Sequence, residues 1–357
     1  MCRGFSRNRI GDMQAQLSNG RLYVVQDLKH APLDGAFRIF RPTSARQFQA
    51  DDCGPLNMLR IIRFIKDLDK ECLSFPDCKI IFYVHEGKRN LTNAVFLLGT
   101  YLILKEDLTP REVANSFSDV GAQQIEPYRQ SSSEAADLAL SVLDCWKGLA
   151  KSKIKAWIRF SESTDHWGEI SIAQYLHFEE PGNGDLQEVV PGKFIAFKGP
   201  VDLGDHEYHD DATGVREFSP SYYVDVFRNM GVSTIIRLSE PRYDAAAFTS
   251  HGFEHFDLEF EDCTAPPDDM VAAFFRIVDS APGAVAVHCS DGLGRTGTLI
   301  SLHLMRSHGF TGREAMGWLR IMRPGSVIGE QQRYLCAVHE RLRACRSARV
   351  PAGAESS

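Results

Sequence analysis

The chain has 357 residues, 43% hydrophobic and 24% charged, enough apolar material for one large or two medium globular domains. A formal net charge of −7 argues against a nucleic-acid binder and suits a basic peptide partner. No apolar run reaches membrane-spanning length, residues 1–9 lack a signal-peptide core, and nine scattered cysteines without a Cys-x2-Cys pair argue for a reducing compartment and against a metal site.

In chain order, residues 55–68 place apolar side chains at 56, 59, 62, 65 and 68, the stripe of an amphipathic helix. Residues 79–84 predict a buried strand and 93–104 an apolar helix. Another helix is expected to begin at Ser133 and to carry its apolar face through Val142, Leu143, Trp146 and Leu149. The pattern breaks over 175–188, where Glu179-Glu180-Pro181-Gly182-Asn183-Gly184-Asp185 is polar and turn-rich and predicts an interdomain linker. Beyond it come a strand at 194–197, a helix at 222–230, strands at 234–238 and 256–260, and an apolar helix from Met270 capped by Asp268 and Asp269. A strand at 283–287 and a helix at 298–305 come next, and this alternation predicts an α/β fold.

Between that last strand and helix lies His288-Cys289-Ser290-Asp291-Gly292-Leu293-Gly294-Arg295-Thr296. A tight loop feeding a helix N-terminus aims successive backbone N–H groups at one point, which is a pocket for a tetrahedral dianion. Cys289 at its base supplies a nucleophile, and the surrounding positive potential favours its thiolate. Arg295 supplies a planar fork for two phosphate oxygens, and the amides from Ser290 through Asp291, Gly292, Leu293 and Gly294 to Arg295 complete the cradle. His288 is expected to hold the loop backbone and reinforce the thiolate, and Thr296 to donate its hydroxyl to the departing sulfur. These roles together spell phosphoryl transfer from a phosphate monoester.

Such chemistry needs a general acid. Asp262 is the preferred candidate, on a loop that can swing over the pocket to donate a proton and later activate water. Glu261 and Asp257 are its rivals.

The segment from Val190 to about Leu342 resembles the catalytic half of the cell-division-cycle-fourteen family of dual-specificity protein phosphatases. The likeness rests on Val190-Pro191-Gly192-Lys193-Phe194, Gly252-Phe253-Glu254-His255-Phe256 and Arg323-Pro324-Gly325-Ser326-Val327-Ile328-Gly329, and reaches back to Asp52-Cys53-Gly54-Pro55 and Asn93-Ala94-Val95-Phe96. It implies two tandem phosphatase-like domains, each a central sheet flanked by helices: 12–174 non-catalytic, a linker over 175–188, 189–346 catalytic, and a short disordered tail over 347–357. It implies no cofactor and no metal, and a preference for phosphoserine followed by proline on cyclin-dependent-kinase substrates. Cys289, Arg295 and Asp262 take the nucleophile, clamp and acid positions, Gln331 and Gln332 line the pocket, and Glu179 and Asp185 sit where the family binds peptide. The protein is expected inside the cell, in cytoplasm or nucleus, with centrosome, spindle and basal body as further family locations. The resemblance leaves oligomeric state open.

The halves themselves look duplicated. The strand ending Val84-His85-Glu86 parallels Val287-His288-Cys289, and Leu108-Thr109-Pro110-Arg111-Glu112 parallels Phe310-Thr311-Gly312-Arg313-Glu314. Glu86 stands where the cysteine would be and Thr92 where the arginine would be, so the first copy is expected to be a non-catalytic partner that shapes a substrate groove. Two departures from the family stand out. Ser290-Asp291 replaces its usual Lys-Ala, and an inward carboxylate would repel the incoming dianion, so slowed catalysis and a gain in kcat/KM on Asp291→Ala are expected. Leu176 and Gly182 replace acids of the peptide groove, with Glu180 as a compensating carboxylate. A phosphoinositide or RNA-triphosphate phosphatase would favour lysines at the variable loop positions, which here are Ser290, Asp291 and Leu293. A tyrosine-only enzyme and a non-catalytic phosphoprotein-binding scaffold complete the alternatives.

Overall fold

The computed structural model describes residues 13–16, 21–26, 37–42, 54–118, 120–121, 123–129, 138–158, 166–167 and 170–348. The chain divides into two compact units, Met1–Tyr128 with Ser141–Trp146, and Arg129–Leu140 with Lys147–Ser357.

In the first unit, β1 (Met13–Gln16), β2 (Leu22–Val25), β3 (Phe37–Phe40) and β4 (Lys79–Tyr83) form a sheet in the order β1-β2-β4-β3. Strands β2 and β3 run parallel to β4 on either side of it, and β1 is antiparallel to β2. Helix α1 (Met58–Ser74) starts at Asn57, whose side chain accepts from the Arg60 N–H at 3.1 Å. Its buried face is Met58, Ile61, Ile62, Phe64, Ile65 and Leu68, while Leu59 of the expected stripe is half-buried. Helix α2 (Lys88–Lys105) is buried without a break from Leu91 to Leu104, as an apolar helix with no polar face must be. After α3 (Pro110–Ser116) comes α4 (Val142–Ile154), whose Trp146 lies across α2 where Gly99 has no side chain. A Cβ there would fall 2.0 Å from the indole, whose Nε1–H donates to the Phe96 carbonyl at 3.1 Å.

In the second unit the part of α4 from Lys147 onward is followed by the hairpin β5 (His166–Trp167) and β6 (Ile170–Ser171), then α5 (Ile172–Glu179), β7 (Leu186–Val190) and β8 (Phe194–Phe197). The ribbon β9 (Tyr208–Asp210) and β10 (Arg216–Phe218) precedes α6 (Pro220–Asn229), β11 (Val232–Arg237), α7 (Ala246–Thr249) and β12 (Glu254–Asp257). Last come α8 (Asp268–Ser280), β13 (Ala284–His288), α9 (Gly294–His308), α10 (Gly312–Met322) and α11 (Glu330–Ala348). The sheet order is β12-β11-β13-β8-β7, all parallel except the edge strand β7. Side chains alternate across it. Ile195, Phe197, Ile235 and Ala286 pack with Tyr223, Phe227 and Phe248 of α6 and α7. Phe194, pointing the other way, stacks on Phe274 of α8 at 5.9 Å and meets His303 of α9 edge-on at 4.9 Å. With helices on both faces, the open ground lies beyond the carboxyl ends of the parallel strands, where an α/β sheet places its site.

Several expectations change here. The polar run 175–188 is no tether: it forms the end of α5, a 3-10 turn at Pro181–Asn183 and the start of β7. Gly184 (φ 116°) and Asp185 (φ 47°) turn the chain so that Leu186 pairs with Phe197. The second unit takes in the chain from Lys147, where the expected boundary was 174, because Trp157 stacks on Phe310 and lies against Trp318, both at 6.0 Å. Strand β12 ends at Asp257, and the N–H groups of Leu258 and Phe260 bond instead to the carbonyls of Arg237 and Leu238 at 2.8 and 3.5 Å. Pro267 takes the N-cap of α8, so Asp268 and Asp269 face the helix dipole from its first turn. The expected helix start at Ser133, Asp52 and Cys53, and residues 349–357 lie outside the described residues.

Both units carry the same succession: a central parallel strand, a loop, a long buried helix and a second helix opened by a capping box. Thr109 with Glu112, and Thr311 with Glu314, each close that box, the threonine N–H donating to the glutamate at 2.8 Å in both. Among the described residues, no helix is long and apolar enough to cross a membrane.

Candidate active site

Cys289 leaves the carboxyl end of β13, the central and wholly buried strand, and is itself 4% exposed. The shape of the loop after it is set by where the loop carbonyls go. Cys289 O accepts from His288 Nδ1 at 2.9 Å, and Ser290 O from the Gly199 N–H at 2.9 Å. The carbonyls of Asp291 and Gly292 accept from Arg323 at 2.7 and 2.9 Å, and that of Leu293 from the Gly297 N–H at 3.0 Å. A trans peptide points its N–H opposite to its C=O. Five anchored carbonyls therefore turn the five N–H groups from Ser290 to Gly294 away from those anchors, at the start of α9. Among the described residues, none of those five N–H groups donates to a protein acceptor. Unpaired amides at a helix N-terminus are able to bind an anion.

Arg295 sits on the first turn of α9 and is 2% exposed. Its Nη1 is spent on the carbonyls of Leu238 and Phe260 at 3.3 and 3.0 Å, which fixes the guanidinium plane. Nη2 donates to Ser290 Oγ at 3.2 Å. Nε makes no hydrogen bond, although the Asp262 carboxylate lies 3.3 Å away, within ion-pair range but off the N–H direction. One edge of the fork is thus buried, oriented and unspent. Thr296 Oγ1 and Gln331 Nε2 are also buried without hydrogen-bond partners.

The structure separates the three candidate acids. Asp257 is held by Arg237 through two bonds of 2.6 and 3.0 Å, so its carboxylate is already committed. Glu261 is exposed, and its carbonyl closes a turn with the Thr264 hydroxyl. Asp262, 58% exposed at its side chain, is the one beside Arg295. Cys263 comes next at φ 58°, a conformation that costs a non-glycine residue energy and bends the loop back at this point.

His288 is buried and pushed down to about 3 by that burial, so its ring is neutral. Because a carbonyl only accepts, Nδ1 carries the proton and Nε2 accepts from the Tyr243 hydroxyl at 2.8 Å. That hydroxyl in turn accepts from His255 Nε2 at 2.8 Å. His288 therefore holds the Cys289 carbonyl and contributes no positive charge.

Asp291 is exposed, and its carbonyl is pinned by Arg323. It lines a cavity of about 370 Å³ with Glu179, Asp185, Gln187, Lys198, Leu293, Arg323 and Pro324. Among the described residues, the carboxylate within ion-pair distance of Arg295 is Asp262, and the exposed Asp291 does not take the inward position from which it would repel a dianion. Asp185 lines the same cavity but is bound to Arg323 at 2.8 Å. The two glutamines also diverge. Gln332 accepts from Arg320 at 2.9 Å, while Gln331 Oε1 lies 2.9 Å from where a Gly294 Cβ would be, against the opening of α9.

Sequence reasoning missed Arg323, Gly199 and the pair Tyr243 and His255. Arg323 was visible within a recognised run, but nothing in that run says which carbonyls it holds. Gly199 carries no local signal: a Cβ on it would fall 2.2 Å from Cys289 O.

Comparisons with known proteins agree with this geometry. Residues 21–152 match the family model described as dual specificity protein phosphatase, N-terminal half, and residues 223–350 that described as Swiss Army Knife protein, DSP-PTPase phosphatase domain. The dual specificity protein phosphatase CDC14AB of Danio rerio is 39% identical over 286 residues, covering 80% of this chain and 45% of the relative. CDC14A of Homo sapiens is 37% identical over 286 residues, with 80% and 46% covered. CDC14C of Symphalangus syndactylus is 36% identical over 288 residues, with 80% and 57% covered. The chain thus spans about half the length of these curated relatives.

Proposed function

We infer the function from the premise that this chain belongs to the CDC14 family of dual-specificity protein phosphatases. It is a cysteine-dependent phosphoric monoester hydrolase. Its substrates are proteins phosphorylated by cyclin-dependent kinases, at phosphoserine followed by proline and also at phosphothreonine and phosphotyrosine, and it acts in cell division inside the cell. The observation that carries this reading is the set of five anchored carbonyls, which leaves the five N–H groups that follow Cys289 without protein acceptors, together with the unbonded Nε of Arg295 on the helix they lead into.

The order of events comes from these groups. Phosphate oxygens take the loop amides and the open edge of Arg295, displacing Asp262 from it. The Cys289 thiolate attacks phosphorus, the bond to the leaving oxygen breaks, and protonated Asp262 supplies that oxygen with its proton. A phosphocysteine remains. Water held by the free amide of Gln331 is then activated by Asp262 and attacks, and the Thr296 hydroxyl donates to the sulfur as it leaves. In the first unit Glu86 stands in the cysteine's place, so no phosphocysteine forms there.

Glu179 and Asp291 give the neighbouring cavity its acidic side and suit a basic residue near the phosphoserine. The test is a panel of phosphoserine-proline, phosphothreonine, phosphotyrosine and phosphoinositide substrates, run on the parent chain and on Cys289→Ser. Phosphopeptide turnover that vanishes in the serine variant supports the reading. Retained phosphopeptide binding with no turnover in the parent would make it a scaffold.

A further inference from the structure

Arg323 comes directly after α10 and is 3% exposed, and every nitrogen of its guanidinium is engaged. Nε and Nη2 hold the carbonyls of Gly292 and Asp291 at 2.9 and 2.7 Å. On the far side, Nη1 donates to the Asp185 carbonyl at 3.2 Å, to Asp185 Oδ1 at 2.8 Å and to Gln187 Oε1. The loop has little slack at this point. Gly292 adopts φ 68°, and a Cβ on it would fall 1.9 Å from the Phe197 carbonyl. The carbonyls of Asp291 and Gly292 belong to the same peptide planes as the N–H groups of Gly292 and Leu293, and point opposite to them.

We propose that Arg323 is a positioning residue for phosphoryl transfer. By holding two loop carbonyls outward it aims the Gly292 and Leu293 N–H groups at the oxyanion, with Asp185 and Gln187 as its counter-anchors. This rests on the reading of the loop as a phosphate cradle. It removes Asp185 from the expected peptide-binding acids, because its charge is matched by a buried guanidinium, and it leaves Glu179 and Asp291 as the acids of the cavity. A lysine cannot substitute: an ammonium carries no planar fork to reach two carbonyls on one side and a carboxylate on the other.

The experiment compares Arg323→Lys and Asp185→Asn with the parent chain. Asparagine tolerates the positive φ of Asp185, so the second variant keeps the turn while removing the charge. Three quantities are measured: tungstate affinity by isothermal titration calorimetry, the pH midpoint of Cys289 alkylation by iodoacetamide, and kcat/KM for phosphopeptides with and without a nearby lysine. In Arg323→Lys, tungstate affinity falls about tenfold or more and the alkylation midpoint rises by about one pH unit. In Asp185→Asn tungstate affinity falls by roughly two- to fivefold, the alkylation midpoint rises by about half a pH unit, and both peptides lose equally. A folded Arg323→Lys that binds tungstate like the parent overturns the proposal. So does an Asp185→Asn whose loss is confined to the lysine-bearing peptide, and that variant decides if Arg323→Lys does not fold. A parent that binds tungstate but turns nothing over overturns the phosphatase reading alone, since the variants' tungstate affinities still test Arg323. A parent that binds no tungstate overturns both.

Discussion

Replacing Asp262 by asparagine separates two jobs that the proposed mechanism gives one carboxylate. In the resting structure it lies 3.3 Å from Arg295 Nε, on ground a phosphate oxygen must take. Two unit charges about 4 Å apart interact by roughly 1 kcal/mol in water, and a dianion doubles that. With a side chain 58% exposed, the aqueous end of the scale applies. Asp262→Asn is therefore expected to tighten vanadate binding by about 1–2 kcal/mol, or roughly five- to thirtyfold. Proton donation runs the other way. An alkyl oxygen leaves poorly without a proton, and general acid catalysis contributes about 10²–10⁴, so kcat/KM for a phosphoserine peptide should fall by that factor. A nitrophenolate leaves almost unaided, and its kcat/KM, which reports only steps through phosphocysteine formation, should fall by less than about tenfold. The assay is steady-state kinetics on both substrates with vanadate titration. Phosphoserine turnover within threefold of the parent would refute the assignment and send the search to Glu261.

Gly199→Ala places a methyl 2.2 Å from Cys289 O and 2.9 Å from His288 Nδ1, so turnover should fall about tenfold or more while far-ultraviolet circular dichroism stays unchanged. His288 has an ordinary value of 6.5 and a folded value of about 3, and His303 is pushed down to about 4, both mainly by burial. Between those values the unfolded chain binds more protons than the folded one, so stability is full above about pH 6.5 and is lost as pH falls toward 3. Thermal melts from pH 7.5 to 5 should show that decline, and His288→Gln should flatten it; an unchanged slope would mean that other groups govern acid lability. Asp291→Ala should raise kcat/KM for p-nitrophenyl phosphate by less than about threefold, with the gain gone at 0.5 M salt, because an exposed carboxylate outside the cradle acts only through screened charge. A larger, salt-independent rise would place Asp291 inside it.

The chemistry-bearing loop was legible from the chain because its geometry is local. A strand, a turn containing Gly292 and a helix beginning at Gly294 lie within a dozen residues, and hydrophobic pattern and glycine placement prescribe all three. The C-terminal ends of α2 and α9 were readable for the same reason. Misreadings came where a partner distant in sequence decides. The polar run around Glu180 looked like a tether because nothing within it announces that Leu186 will pair with Phe197. Asp185 looked available to substrate because Arg323, which binds it, lies 138 residues away.

By itself, then, the sequence determined the α/β class, the spacing of Cys289 and Arg295 between a buried strand and a helix, and the missing cysteine in the first unit, since each depends on residue type at short spacing. Tertiary structure alone decided which of three carboxylates stands beside Arg295, that Asp291 lines the neighbouring cavity, and that His288 works as a neutral donor. It also decided that Arg323 binds the carbonyls of Asp291 and Gly292. Those outcomes turn on the direction of individual donors and acceptors across the fold, and a direction in space is fixed only once the sheet has brought its strand ends together.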